Sequence, residues 1–258
     1  MKTSSFQSKT AIVIGGTSGM GKATAKLLLE NGARVIVISK SQSSVDAAVT
    51  ELSAFGEISG IRLNLTSDMD VSNYISTLEK DEQPVDYLVN ASGIFAPKPF
   101  LDSTPEDYDA FQDINKGFYF ITQAIAKKMK ANGGGSIVNV GSYWAKHAVK
   151  GTPTSAYSMA KAALQAFTQH AAMELSDDKI RVNAIAPGVV ETGVLDELAG
   201  SAEGVKDAYK GLNRIHPLGR NGQPLDVANA IVFLLSDDAA WITGTILDID
   251  GGMAAGRS

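Results

Sequence analysis

The 258-residue sequence contains no cysteine. That excludes disulfides, thiolate metal ligands and cysteine nucleophiles, and it fits a reducing compartment. Basic residues are not in surplus: 23 Lys and Arg against 28 Asp and Glu leave a formal charge of -5. General affinity for nucleic-acid phosphates, which needs a cationic surface, is not expected. No apolar run approaches the roughly 20 residues needed to cross a bilayer. Met1 to Thr10 are too polar to read as a secretory signal. Internal repeats, low-complexity tracts and linkers are also lacking. These absences lead to the expectation of a soluble, cytoplasmic protein without a membrane partner, folded as one domain over residues 1–258.

What is present is an alternation. The short runs Ala11–Ile14, Arg34–Ile38, Ile61–Leu65, Val85–Val89 and Ser136–Val140 are rich in β-branched residues and as long as buried strands. Between them Met20–Glu30, Gln42–Phe55, Asp68–Lys80 and Pro105–Ala131 carry helical spacing. Thr104-Pro105-Glu106-Asp107 supplies an N-cap, a first-turn proline and acids at the positive end of the helix dipole. The pattern continues through the helix Ser155–Leu175, the strand Arg181–Ile185, the helix Leu225–Leu235 and the strand Thr245–Ile249. It predicts an α/β fold of Rossmann type, doubly wound, with a mostly parallel central sheet flanked by helices on both faces. Residues 189–224 are the least regular, being interrupted by five glycines from Gly193 to Gly219, and read as a segment closing over a site.

Directly after the first strand stands Gly15-Gly16-Thr17-Ser18-Gly19-Met20-Gly21, opening the first helix. Glycines permit a sharp turn and close approach of a pyrophosphate, and the helix N-terminus offers it unpaired N–H groups. A glycine cluster alone is weak; a strand before and a helix after make it a dinucleotide fingerprint. The second strand ends in Ser39-Lys40-Ser41. An NAD site places a carboxylate there for the ribose 2′-hydroxyl, whereas Lys40 and its flanking hydroxyls suit a 2′-phosphate. NADP(H) is therefore the preferred cofactor, with NAD(H) still possible.

Tyr157 and Lys161 stand at i and i+4 and project from one helical face. Taken alone this spacing is a common surface pair. A tyrosine of pKa near ~10 becomes a useful acid or base when a cation lowers that value.

The chain as a whole resembles the short-chain dehydrogenase/reductase family in its classical type. The resemblance is carried by the glycine segment above, Asn90-Ala91-Ser92-Gly93, Val138-Asn139-Val140-Gly141-Ser142, Tyr157-x-x-x-Lys161 and Pro187-Gly188-Val189-Val190-Glu191-Thr192, in family order, ending in Asp250-Gly251-Gly252. It implies reversible hydride transfer between a nicotinamide and a small carbonyl or alcohol, without a metal. Tyr157 would be the acid/base, Lys161 would lower its pKa and hold the ribose, and Ser142 would polarise the substrate oxygen. Asn115 would hold a water linking Lys161 to solvent. Gly15, Thr17, Ser18, Gly19, Met20 and Gly21 would cradle the pyrophosphate. Asn90, Ala91 and Gly93 would line the cofactor, while Asn64, through its carbonyl, and Leu65 would face the adenine. Pro187, Gly188, Val190 and Thr192 would grip the carboxamide. The family also implies a homo-oligomer, a tetramer or dimer, built on the Pro105–Ala131 and Ser155–Leu175 helices.

Two departures from the family pattern bear on these assignments. Asp113-Ile114-Asn115-Lys116-Gly117 is one residue short after the asparagine, and one residue turns a helix by about 100°. Asn115 or the helix after it is therefore expected to adjust. Ser142 lies farther upstream of Tyr157 than usual, so Tyr143–Ala156 is expected to form a longer loop beside the substrate. In that loop Trp144 could wall off an apolar substrate or pack inward. His147 reads as structural or exposed, and Lys146 and Lys150 as solvated. Leu195, Leu198, Tyr209 and Leu212 in the closing segment spell no substrate code. Two alternatives remain at this stage: a 3-oxoacyl-thioester reductase of the same class, and a non-catalytic NADP(H)-binding sensor or scaffold.

Overall fold

The β-branched runs pair as one sheet in the computed structural model, which describes residues 6–194 and 201–256. All seven strands are parallel: β1 (Thr10–Ile14), β2 (Arg34–Ser39), β3 (Ile58–Arg62), β4 (Tyr87–Asn90), β5 (Gly135–Val140), β6 (Ile180–Pro187) and β7 (Ile246–Ile249). Their order is β3-β2-β1-β4-β5-β6-β7. The winding direction reverses between β1 and β4, which opens a crevice at the carboxyl ends of those strands.

Side chains alternate across each strand and so feed two cores. Ile12, Ile14, Leu88, Ile137 and Val182 pack beneath α3 (Asp68–Lys80), α4 (Pro105–Ala131) and α5 (Ser155–Glu174). Ala11, Val13, Val35, Val37 and Val138 pack against α1 (Gly19–Glu30) and α7 (Pro224–Leu235) on the other face. Helix α2 (Gln42–Leu52) lies against β2 and β3, and α6 (Ala202–Leu212) belongs to the segment over the crevice. Because both faces are covered, the strands read as near-continuous apolar runs. α4 starts with the capping box its sequence announces: Thr104 Oγ1 accepts from Asp107 N, and the Asp107 carboxylate accepts from Thr104 N.

The third strand departs from expectation. Apolar content points to Ile61–Leu65, but β3 runs from Ile58 to Arg62. Gly60 lies so close under α2 that a Cβ there would stand 2.3 Å from Val45 Cγ1. An edge strand pressed onto a helix in this way does not advertise itself by hydrophobicity. Leu63 and Leu65, the more conspicuous residues, are buried just beyond its end.

Candidate active site

The turn after β1 is shaped for close contact. Gly15 has φ +82°, and a Cβ on it would lie 2.5 Å from Ser92 N in the loop after β4. Only glycine fits there. Ser18 occupies the N-cap of α1 without making a side-chain cap bond, and the first turn carries no acid. The N–H groups at this helix end therefore face the crevice without an internal anion, as a pyrophosphate site needs.

Two clefts flank this turn. One, of about 490 Å³, is lined by Ile14, Ser39, Lys40, Asn64, Leu65 and the α4 carboxylates Glu106, Asp109 and Asp113, among others. Its dimensions and apolar floor suit an adenosine. Lys40 is exposed at its edge and forms no ion pair. Asn64 needs a correction: its Oδ1 already accepts from Thr66 N and Oγ1, at 3.3 and 3.1 Å. The amide N–H group, rather than the carbonyl, is thus left to meet a base.

The second cleft, of about 310 Å³, brings together Met20, Ser142, Tyr157, Pro187, Gly188, Val190 and Thr192 with Phe95, Trp144 and Leu212. Ser142 is buried at the end of β5. Its Oγ accepts from Trp144 N at 3.2 Å, and its side chain hydrogen-bonds Tyr157. Tyr157 is wedged between Phe95 and Phe111, whose rings meet it edge-on at 5.3 and 5.9 Å. One helical turn on, Lys161 Nζ donates to Val140 O at 2.9 Å. Gln165, one turn further on the same face, donates to Ser142 O at 3.1 Å and fixes the backbone of the serine. Gln165 was not anticipated, although its i+8 spacing from Tyr157 is the signal that could have found it.

The electrostatics differ from the expected scheme. Burial raises the Tyr157 pKa, and the hydrogen bond from Ser142 opposes that rise. Lys161 stands 5.9 Å from the Tyr157 ring centroid. Desolvation brings its own pKa down to about 8. Within the protein alone burial outweighs the Ser142 hydrogen bond, so the Tyr157 phenol is held above its ordinary pKa.

Asn90 needs the second correction. Its side chain is fully buried and points away from the crevice, donating to Thr122 Oγ1 at 3.0 Å and Asn139 Oδ1 at 2.8 Å. Asn139 continues to Thr168 Oγ1 at 2.9 Å. This polar chain ties α4, β4, β5 and α5 together beneath the site; Asn139 stood in a family segment, but its partners Asn90 and Thr168 are brought to it only by the fold. Ala91 and Gly93 remain at the crevice. Asn115 donates to Ala160 O of α5 at 2.7 Å, beside a small cavity of about 10 Å³ shared with Tyr157 and Lys161. The helix does not adjust at the shortened segment: α4 runs unbroken. Gly117 takes up the difference, since a Cβ there would stand 2.5 Å from Leu65 O.

After β6 the chain covers the cleft. Thr192 N donates to Tyr209 Oη at 3.3 Å, and Val194 and Leu212 line the opening. Leu195 and Leu198 lie outside the described residues. His216, also missed, is 2% exposed. Its Nδ1 donates to Leu212 O at 3.2 Å while Nε2 accepts from Val189 N at 3.2 Å, a pairing that requires the neutral ring. In the loop before α5, Tyr143 to Ala145 form one 3-10 turn, His147 stacks on Tyr143 with ring centroids 4.4 Å apart, and Lys146 and Lys150 are exposed. Among the described residues no group of three or more His, Asp or Glu is placed to hold a metal ion.

The chain is similar to known proteins over nearly its whole length. The family profile described as enoyl-(acyl carrier protein) reductase matches residues 15–254. A 3alpha-hydroxysteroid dehydrogenase of Mediterraneibacter gnavus is 39% identical over 251 residues, covering 95% of this chain and 97% of the relative. A 3-oxoacyl-(acyl-carrier-protein) reductase of Thermotoga maritima is 34% identical, covering 96% and 98%. Among solved structures, L-sorbose reductase of Gluconobacter frateurii, complexed with NADPH and L-sorbose, superposes with a TM-score of 0.88 at 26% identity, covering 96% and 97%. A glycine turn at a strand-to-helix junction, a Ser–Tyr–Lys cleft beside it and relatives spanning the whole length lead to one assignment: this chain is an NAD(P)-dependent oxidoreductase belonging to the short-chain dehydrogenase/reductase family.

Proposed function

We propose that the protein is an NADP(H)-preferring enzyme that interconverts a small ketone or aldehyde and its alcohol, with Tyr157 as acid/base. The observation that carries this reading is the convergence of Ser142 and Tyr157 on the floor of a cleft whose other side is the Pro187–Thr192 segment. The bound cofactor supplies or accepts the hydride. Ser142, which lines the cleft beside Tyr157, is placed to donate a hydrogen bond to a substrate oxygen and polarise it. Tyr157 gives that oxygen its proton in reduction and removes it in oxidation. Lys161, with a pKa of about 8, is mostly protonated at pH 7 and offers an ammonium to the ribose hydroxyls. Asn115 supports the helix carrying both residues at Ala160 O.

Preference for NADP(H) is supported by the lysine at the end of β2, which is free of any ion pair, and by the absence of a carboxylate at Ser39-Lys40-Ser41. The family relatives make a non-catalytic scaffold the weaker reading. The hydroxysteroid and the 3-oxoacyl thioester named for two relatives are both carbonyl–alcohol pairs, and they define the first substrates to try. We further propose a homo-oligomer assembled through the outer faces of α4 and α5, where Tyr119, Phe120, Met159 and Met173 are exposed. No helix among the described residues is long and apolar enough to cross a membrane, and a cytoplasmic enzyme is the reading we adopt.

The test is NADPH-dependent reduction of a carbonyl panel, followed as loss of dihydronicotinamide absorbance, together with NADPH binding. Turnover that disappears in Tyr157→Phe is expected. Tight binding without conversion of any carbonyl would contradict the proposal.

A further inference from the structure

We infer that the cleft over Ser142 and Tyr157 selects a neutral, apolar ring ketone, or the matching secondary alcohol, and that Phe95 and Trp144 form the wall that chooses it. This rests on the hydride-transfer reading above. The loops after β4 and β5 bring Phe95, Pro97 and Trp144 to the cleft, and the segment after β6 brings Val189, Val194 and Leu212. Beyond Ser142 and Tyr157, only Thr152 and Thr192 contribute side-chain hydroxyls. No charged side chain lines the cleft among the described residues. The cleft's volume of about 310 Å³ also takes in the Met20 and Pro187–Thr192 side assigned to the nicotinamide, so the part left beside Phe95 and Trp144 suits a compact ring better than a long chain.

The wall is fixed in advance. The Phe95 ring is 6.2 Å from that of Trp144 and meets Tyr157 edge-on at 5.3 Å, so one side chain both holds the proton donor and faces the substrate. Its loop is pinned to the one before α5 by Lys98 N donating to Pro153 O at 2.8 Å, and to α4 by the Lys98–Asp107 ion pair. For a ketone in this cleft, the carbonyl carbon gains the hydride and becomes a carbinol carbon. The C–O π pair moves onto oxygen, and the oxygen takes the Tyr157 proton. The ketone is reduced and the dihydronicotinamide is oxidised. A sugar ketone would bury several further hydroxyls with few partners, each unpaired group costing on the order of 5- to 150-fold. Each ring methylene buried instead gains about fourfold. An acetoacetyl thioester would place only its short acyl end within the apolar walls.

The experiment compares kcat/KM with NADPH for trans-1-decalone, D-fructose and acetoacetyl-coenzyme A. Decalone binding is read separately, as quenching of Trp144 fluorescence in Trp241→Phe protein saturated with NADP+. Trp241 is fully exposed and does not line the cleft. Decalone is expected to be preferred by at least about 100-fold over both other probes and to quench Trp144. Phe95→Ser, or Trp144→Leu should the first variant not fold, is expected to lower decalone kcat/KM by about tenfold or more. The NADPH Kd of that variant should stay within about twofold of the parent. Tyr157-dependent turnover that favours fructose or the thioester would overturn this inference and leave the hydride-transfer reading standing, as would unchanged decalone kinetics in a folded wall variant. NADPH binding with no turnover of any probe would count against the hydride-transfer reading itself, and the inference would fall with it.

Discussion

At the scale of single residues, the site joins groups that the fold holds in costly states. Burial without a counter-charge brings the Lys161 pKa down to about 8, from about 10.5 for a lysine in water. A folded pKa below the unfolded one means that stability present above pH ~10.5 is lost as pH falls toward about 8. At neutral pH the whole penalty applies, about 3 kcal/mol, against about 2 kcal/mol returned by the charge-assisted bond to Val140 O. Lys161→Met is therefore expected to abolish turnover yet raise the thermal midpoint by a few degrees; a lower midpoint would show that the ammonium stabilises the fold. Tyr157→Phe should keep NADPH affinity and lose most of kcat, measured by titration and initial rates, because only the transferred proton is removed. His216 gives the pH prediction. Burial lowers its pKa, so the unfolded chain takes up a proton first as pH falls below about 6.5. The stability this residue contributes is present above that value and is lost as pH falls through the folded pKa. In thermal scans from pH 7.5 to 5.5, wild type should lose more stability than His216→Gln, and parallel curves would remove His216 from this role. That Tyr157 and Lys161 share one helical face was legible because their spacing is short-range. His216, Gln165 and the Asn90–Asn139 chain were not, since their partners come from elements that only the fold brings together.

Elements were read well wherever punctuation is local. The helix limits at Asp68, Lys80, Pro105 and Ala131 fall where the sequence puts them, because caps, acids and a first-turn proline act within a few residues. β3 was misplaced because its position depends on α2 pressing against Gly60. The same distinction governs α7. Its C-terminal carbonyls are gathered by Arg181 of β6: Nη1 donates to Leu234 O at 2.6 Å, and Nη2 to Leu235 O and Ser236 O at 2.9 and 3.0 Å. A guanidinium at a helix C-terminus satisfies orphan carbonyls and meets the dipole's negative end. Arg181→Met should cost about 2–4 kcal/mol, seen as a fall of several degrees in the thermal midpoint. Arg181→Lys should recover only part, since one ammonium does not span the fork. No loss in Arg181→Met would mean that solvent caps the helix equally well.

On the scale of the whole molecule, the order β3-β2-β1-β4-β5-β6-β7 produces the site. The reversal beside β1 leaves room for a dinucleotide. The glycine turn lies between two clefts, and in the function proposed above cofactor choice and substrate choice would rest on different residues. Light scattering should give a mass that is a multiple of the 27.1 kDa chain, and a clean monomer would contradict assembly through α4 and α5. The fold class could be read from the strand–helix alternation. The pairing of clefts could not, since it depends on which loops cover which strand ends. The measurement that tests the central claim most directly is fluorescence titration of wild-type and Lys40→Glu protein with NADPH and with NADH. The account predicts clearly tighter NADPH binding by wild type, with that preference lost in Lys40→Glu through weakened NADPH binding. Equal affinity for both cofactors in wild type, or equal losses for both on substitution, would contradict it and make Lys40 a bystander at the end of β2.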